Sequence, residues 1–220
     1  MKEVYPSILW EAYEQFMLNF EGKKIPTPYR INDISNPHAV GPEFRGKSSP
    51  EVLIETTYKI ADELGFNLST SSSDMIREFM KCNLLGIDCS GYAYRCLDYL
   101  ALKVKGLPLT ELGFEHVGRT NVRKLSDDEH SIPVSPDQIH PADIIKTNSG
   151  DDILHVLLIM EISDGEVIYT HSSSQTKPQG VHIGSFSIGE NGTLLFNEFL
   201  GDINYCPDQG DGIRRLRALI

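Results

Sequence analysis

Gly86-Ile87-Asp88-Cys89-Ser90-Gly91-Tyr92-Ala93-Tyr94-Arg95-Cys96-Leu97 is the stretch on which the fold turns. A helix is expected to start at Asp88-Cys89-Ser90-Gly91, because Cys89, Ala93, Cys96, Leu97 and Leu100 then share the one side of the cylinder that must pack on something apolar. Cys89 opens that buried face. A thiol at a helix start meets unpaired amides and the positive end of the macrodipole, which lower its pKa and favour thiolate. The same amides, its own included, could hold the oxyanion of a tetrahedral intermediate. A cysteine on such a face is also, in most proteins, a small buried hydrophobe, and Cys82, Cys96 and Cys206 are read that way.

Working outward toward the N-terminus, the chain reads as helices. Ile8, Leu9, Tyr13, Phe16, Met17 and Phe20 recur at spacings of three and four, which predicts a helix from Ser7 to Phe20 before Gly22. Ser48-Ser49-Pro50-Glu51 supplies a cap and an N-terminal proline for a helix through Val52 to Leu64, stopped by Gly65. Ser73 can cap a third, through Asp74, Ile76, Phe79 and Met80. Asp33 to Lys47 reads as an irregular connection.

Toward the C-terminus the pattern changes to short β-prone runs: Asp143-Ile144-Ile145, His155 to Ile162, Glu166 to His171, Val181 to Phe186 and Leu194 to Phe199. Asp164-Gly165 is a tight hairpin turn and Glu190-Asn191-Gly192 marks another. Helices first and strands second give an α+β class with an antiparallel sheet. The 220 residues, 40% hydrophobic and 23% charged, suit a single domain. Within it, 1–83 is an N-terminal helical extension or insertion and 84–220 the core that carries the chemistry.

A net charge of -11 disfavours nucleic acid and anionic membranes as partners. The basic run at 213–217 is read as a strand or helix end. Charges at Glu11 and Glu14 interrupt any signal-like apolar run, so no export signal is visible and the compartment stays open. No apolar run in the second half approaches the roughly 20 residues that span a bilayer. Four cysteines without Cys-x-x-Cys spacing point to reduced thiols rather than a disulfide framework or a zinc ribbon.

His155 begins the apolar run Val156-Leu157-Leu158-Ile159-Met160, and His171 ends the next strand. His155 lies nine residues before Asp164 and His171 six after Gly165, so the two meet only with a slip or bulge. Two such histidines are hydrogen-bonded scaffold, metal ligands or catalytic groups. His38, His116, His130, His140 and His182 are read as surface residues, with His182 in reserve. The acid pairs Asp127-Asp128 and Asp151-Asp152 are read as loop charge.

Gly86-Ile87-Asp88-Cys89-Ser90-Gly91-Tyr92, His155-Val156 opening an apolar strand, and His171-Ser172-Ser173-Ser174 with Gly180-Val181 together resemble the NlpC/p-sixty family of cell-wall cysteine peptidases. His140-Pro141-Ala142-Asp143 and Gly118-Arg119-Thr120 are similar to further family stretches, and the resemblance covers about Leu84 to Phe186. It implies a papain-like α+β fold whose cysteine helix packs on a small antiparallel sheet. It also implies hydrolysis of amide bonds in peptidoglycan stem peptides, with Cys89 as nucleophile, His155 as base and His171 as the orienting third member. Asp88 and Ser90 are the implied contacts for a substrate amine. The family usually carries a tyrosine shortly before the cysteine. Ile76 to Ile87 has none, and Tyr29 is its displaced equivalent if the helices between Pro50 and Asn83 are an insertion. No cofactor or metal is implied; the expected partner is a peptide or muropeptide. Other readings of the same residues are an amidase or acyltransferase on a non-wall amide or thioester, a noncatalytic binding module, and a metal site of Cys89, His155 and His171.

Overall fold

A computed structural model describes residues 4–31, 41, 45–148, 154–177, 179–197, 205 and 207–220. The first helix, α1, spans Tyr5–Gln15. The expected helix to Phe20 stops short, because Met17–Phe20 is strand β1, paired antiparallel with β2 (Lys23–Pro26). Glu21 and Gly22 turn the chain at φ 53 and 81. The apolar residues at 17, 18 and 20 fit either period. The turn and the partner strand decide it, burying Leu18 and Phe20 and exposing Asn19.

Helix α2 (Pro50–Leu64) forms as its signals require: Ser49 caps it, Pro50 starts it and Gly65 ends it at φ 67. Helix α3 (Ser73–Cys82) is capped by Ser72 rather than Ser73. Both pack on the β1–β2 hairpin in a core that includes Leu18, Phe20, Ile25, Leu53, Ile76 and Met80. Helix α4 (Cys89–Lys105) follows, with Asp88 accepting the Gly91 amide as N-cap and Gly106 ending it. Cys89, Ala93, Cys96, Leu97 and Leu100 are buried together with α1 side chains Leu9 and Ala12. Helix α1 therefore belongs to the core of the cysteine helix, while α2 and α3 share a separate one.

After the short helix α5 (Val122–Ser126), the strands are β3 (Ser131–Val134), β4 (Ile144–Asn148), β5 (Leu154–Ser163), β6 (Glu166–Ser173), β7 (Gly180–Ile188), β8 (Leu194–Phe196) and β9 (Gly212–Leu216). They form a curled antiparallel sheet in the order β3-β9-β4-β5-β6-β7-β8. The class is thus α+β, as expected. The basic run forms β9 inside this sheet, with Arg215 paired to Asp143 and Arg214 to Asp128.

The hairpin between β5 and β6 places the histidines. It closes at Ser163–Glu166, and the register slips by one between Ile159–Tyr169 and Glu161–Ile168, leaving Met160 as a bulge. Carried one step past the last pair, Leu158–Thr170, this register sets His171 across from Leu157, two residues from His155 and on its side of the sheet. Without the bulge His171 would oppose Leu158 and point to the other side. On the next strand His182 pairs directly with His171.

Candidate active site

Helix α4 is seated on the sheet by two polar contacts across its apolar face. The Tyr92 hydroxyl donates to Thr170 Oγ1 at 2.8 Å, and Ser172 Oγ donates to the Ile87 carbonyl at 2.7 Å. These bring the cysteine to the start of β5, where the backbone amides of Val156, next in chain to His155, and of Ser90 lie close enough to Cys89 to favour its thiolate. Cys89 is 7% exposed. The expected lowering of its pKa is overridden. Burial, and then the Asp88 carboxylate, push the thiol up to about 12 against the pull of the two amides and of Lys47.

The three histidines form one hydrogen-bonded chain, all of it buried. His155 Nε2 lies 2.6 Å from His171 Nδ1, His171 Nε2 lies 2.9 Å from His182 Nε2, and His182 Nδ1 lies 2.9 Å from the carbonyl oxygen of Gly180. The rings of His155 and His171 meet edge to face at 77°. The slip anticipated between the first two is supplied by the Met160 bulge. His182, set aside as a reserve, is buried and part of the chain.

Tyr29 is brought beside Cys89 across the whole α2–α3 segment. Its strand-like stretch runs parallel to Ile87, whose amide donates to the Pro28 carbonyl at 2.9 Å and whose carbonyl accepts from the Arg30 amide at 3.2 Å. Burial, then the nearby Cys89 and Asp88, raise the pKa of the Tyr29 hydroxyl, which also shares a hydrogen bond with Ser174. It therefore stays protonated and able to donate.

Asp88 and Ser90 converge on a residue that the sequence pattern does not mark. Lys47 Nζ donates to Asp88 Oδ1 at 3.0 Å, to Ser90 Oγ at 2.6 Å and to the Thr120 carbonyl at 3.2 Å. Lysine and aspartate are 2% and 6% exposed. Burial raises the Asp88 carboxyl, and Lys47, the Gly91 amide and Ser90 pull it back toward the charged form. Gly91 makes room for this segment, since a Cβ there would stand 2.3 Å from the Gly46 carbonyl oxygen. Lys47 ends a stretch read as irregular, and its partners are 41, 43 and 73 residues away, so no local spacing signals it.

Of the remaining candidates, His116 and His140 are exposed as expected. His130 is not a surface residue: it is buried beside Phe114 and bonded to Asp127 and the Gly113 carbonyl. Asp127, Glu129 and His130 bring ligating atoms within 4.8 Å of one another, but His130 already has protein partners there. The nitrogens of His155 and His171 that face each other stand at hydrogen-bond distance rather than around a common point. His38, Asp151, Asp152 and Cys206 lie outside the described residues. Among the described residues no helix is long and apolar enough to cross a membrane. No protein-family model matches this chain, and no curated protein matches it in sequence.

Proposed function

We propose that this protein is a cysteine hydrolase, an endopeptidase or amidase acting on peptidoglycan stem peptides or wall-derived peptides, with Cys89 as nucleophile, His155 as base and His171 as orienter. The observation that carries the reading is the short His155–His171 bond at the strand end where the Cys89 thiol meets the Val156 amide. It is the nucleophile, base and orienter order of covalent catalysis. Because burial holds the thiol protonated, His155 takes the proton as sulfur attacks, rather than resting beside a preformed thiolate. The C–S bond forms, and the carbonyl oxygen gains charge opposite the amides of the α4 start and the Tyr29 hydroxyl. The proton on His155 passes to the leaving amine as the C–N bond breaks. Water then attacks the thioester, gives its proton to His155 and releases the acid and the thiol.

A second substrate reading has its own support. Asp88 and Ser90, the implied contacts for a substrate amine, carry the Lys47 ammonium instead, and a substrate amine would compete with it. That favours a non-wall amide or thioester lacking a free amine at this position. Incubation with a muropeptide mixture, with products read by mass spectrometry, separates the two. Cleavage lost in Cys89→Ala supports the wall reading. Cleavage only of amine-blocked amides or thioesters supports the second, and turnover that persists in Cys89→Ala removes the assigned nucleophile.

A further inference from the structure

We infer that His182 is a positioning residue that, through the carbonyl of Gly180, sets the tautomers of all three histidines and so leaves the base nitrogen of His155 unprotonated. This rests on the hydrolase reading for its catalytic meaning, but the tautomer order itself follows from hydrogen-bond chemistry. A carbonyl oxygen only accepts, so His182 Nδ1 at 2.9 Å from the Gly180 oxygen must carry its proton. In the neutral ring Nε2 is then an acceptor, and the nitrogen facing it, His171 Nε2, must donate. Neutral His171 therefore accepts at Nδ1, and the nitrogen facing that, His155 Nε2, must donate. His155 is left with its lone pair on Nδ1, the form a base requires. When His155 takes the proton of Cys89 on Nδ1, its Nε2–H keeps the same acceptor, so no bond in the chain has to turn over.

The carbonyl that sets this order is itself held. Gly180 lies at φ 106, where a Cβ would stand 2.3 Å from the Thr27 oxygen, and the Val181 amide donates to that oxygen at 2.9 Å. A second proton on His182 would reverse the order: Nε2–H would donate to His171, which would donate from Nδ1 to His155 Nε2 and leave a proton on the base nitrogen. The titratable side chains that bear on this order are His171 and Tyr169 on β6, whose rings are 5.5 Å apart between centroids, His155 on β5, and Cys89 with Tyr29 and Asp88 at the α4 start.

The test is imidazole NMR on the full chain, correlating ring protons with ring nitrogens, together with the pH profile of Cys89 alkylation by iodoacetamide. The expected spectrum of the wild type has protons on His182 Nδ1, His171 Nε2 and His155 Nε2. In His182→Leu the single tautomer of His171 and His155 is lost and alkylation near neutral pH slows about tenfold or more, a part of the roughly 10²–10⁴ a positioned base contributes. In His182→Gln, whose amide oxygen can accept from His171, both recover. A wild-type proton on His155 Nδ1 or His182 Nε2 at neutral pH overturns the inference, and so does a wild-type alkylation profile in folded His182→Leu. If the wild-type tautomers are as stated but Cys89 reacts no faster than in His155→Ala, the hydrolase reading fails and the tautomer order stands. Should His182→Leu not fold, the wild-type spectrum still decides.

Discussion

Two buried groups at the α4 start set opposite demands. Cys89 is held as a thiol by burial, and Asp88 is held near it as a partner of Lys47. Removing the lysine leaves a buried carboxylate without a counter-charge, so Lys47→Met should lose about 3–5 kcal/mol in urea unfolding, while adding Asp88→Asn should restore most of it. No loss in the single variant would show that the pair does not carry the helix start. In the proposed mechanism Tyr29, beside Cys89 and Asp88, is the side-chain donor to the oxyanion. Tyr29→Phe should lower kcat by about 10²–10³ with little change in KM, and an unchanged kcat would leave that task to the backbone amides alone.

At the scale of elements, what was legible follows from how far a signal travels along the chain. The α4 face, the Ser49 cap with Pro50 and Gly65, and the Asp164-Gly165 turn are written in neighbouring residues, and each forms. The helical pattern of the first segment runs on into β1 because Met17, Leu18 and Phe20 fit two periods and only the pairing with β2 separates them. Lys47 carries no local signal because its partners are distant in sequence, and His182 stays in reserve because only the pairing of β6 with β7 sets it beside His171. The histidine pair was visible, but the device that joins it, the bulge at Met160, leaves no mark in an apolar run. Deleting Met160 should turn His155 to the opposite side of the sheet. The strand content read by far-ultraviolet circular dichroism should persist while neutral-pH alkylation of Cys89 drops to the level of His155→Ala. Retained reactivity would mean that the bulge does not orient the base.

Over the whole molecule, the described residues form three cores. One joins α1, α4 and one face of the sheet; a second, with Leu157, Ile159, Tyr169 and Phe186, lies on the sheet's other face; the third joins α2, α3 and the β1–β2 hairpin. The first core also encloses Cys96, whose thiol burial pushes up to about 12, as it does that of Cys89. In both cases the folded chain keeps a proton that the unfolded chain gives up at the ordinary thiol pKa. Their contribution to stability is complete below that value and is lost as pH rises toward about 12. The urea midpoint should therefore fall on going from neutral to strongly alkaline pH, and fall less in Cys96→Ala; equal slopes would contradict the assigned cause.

The central claim, that His155 activates Cys89, is tested most directly by the rate of Cys89 alkylation as a function of pH in the wild type and in His155→Ala. A thiol with a raised pKa reacts near neutrality only if a base takes its proton. Activation of Cys89 by His155 gives rapid reaction near neutral pH in the wild type and, in His155→Ala, a profile displaced upward toward the thiol's own value of about 12. Superimposable profiles in the two proteins would contradict it.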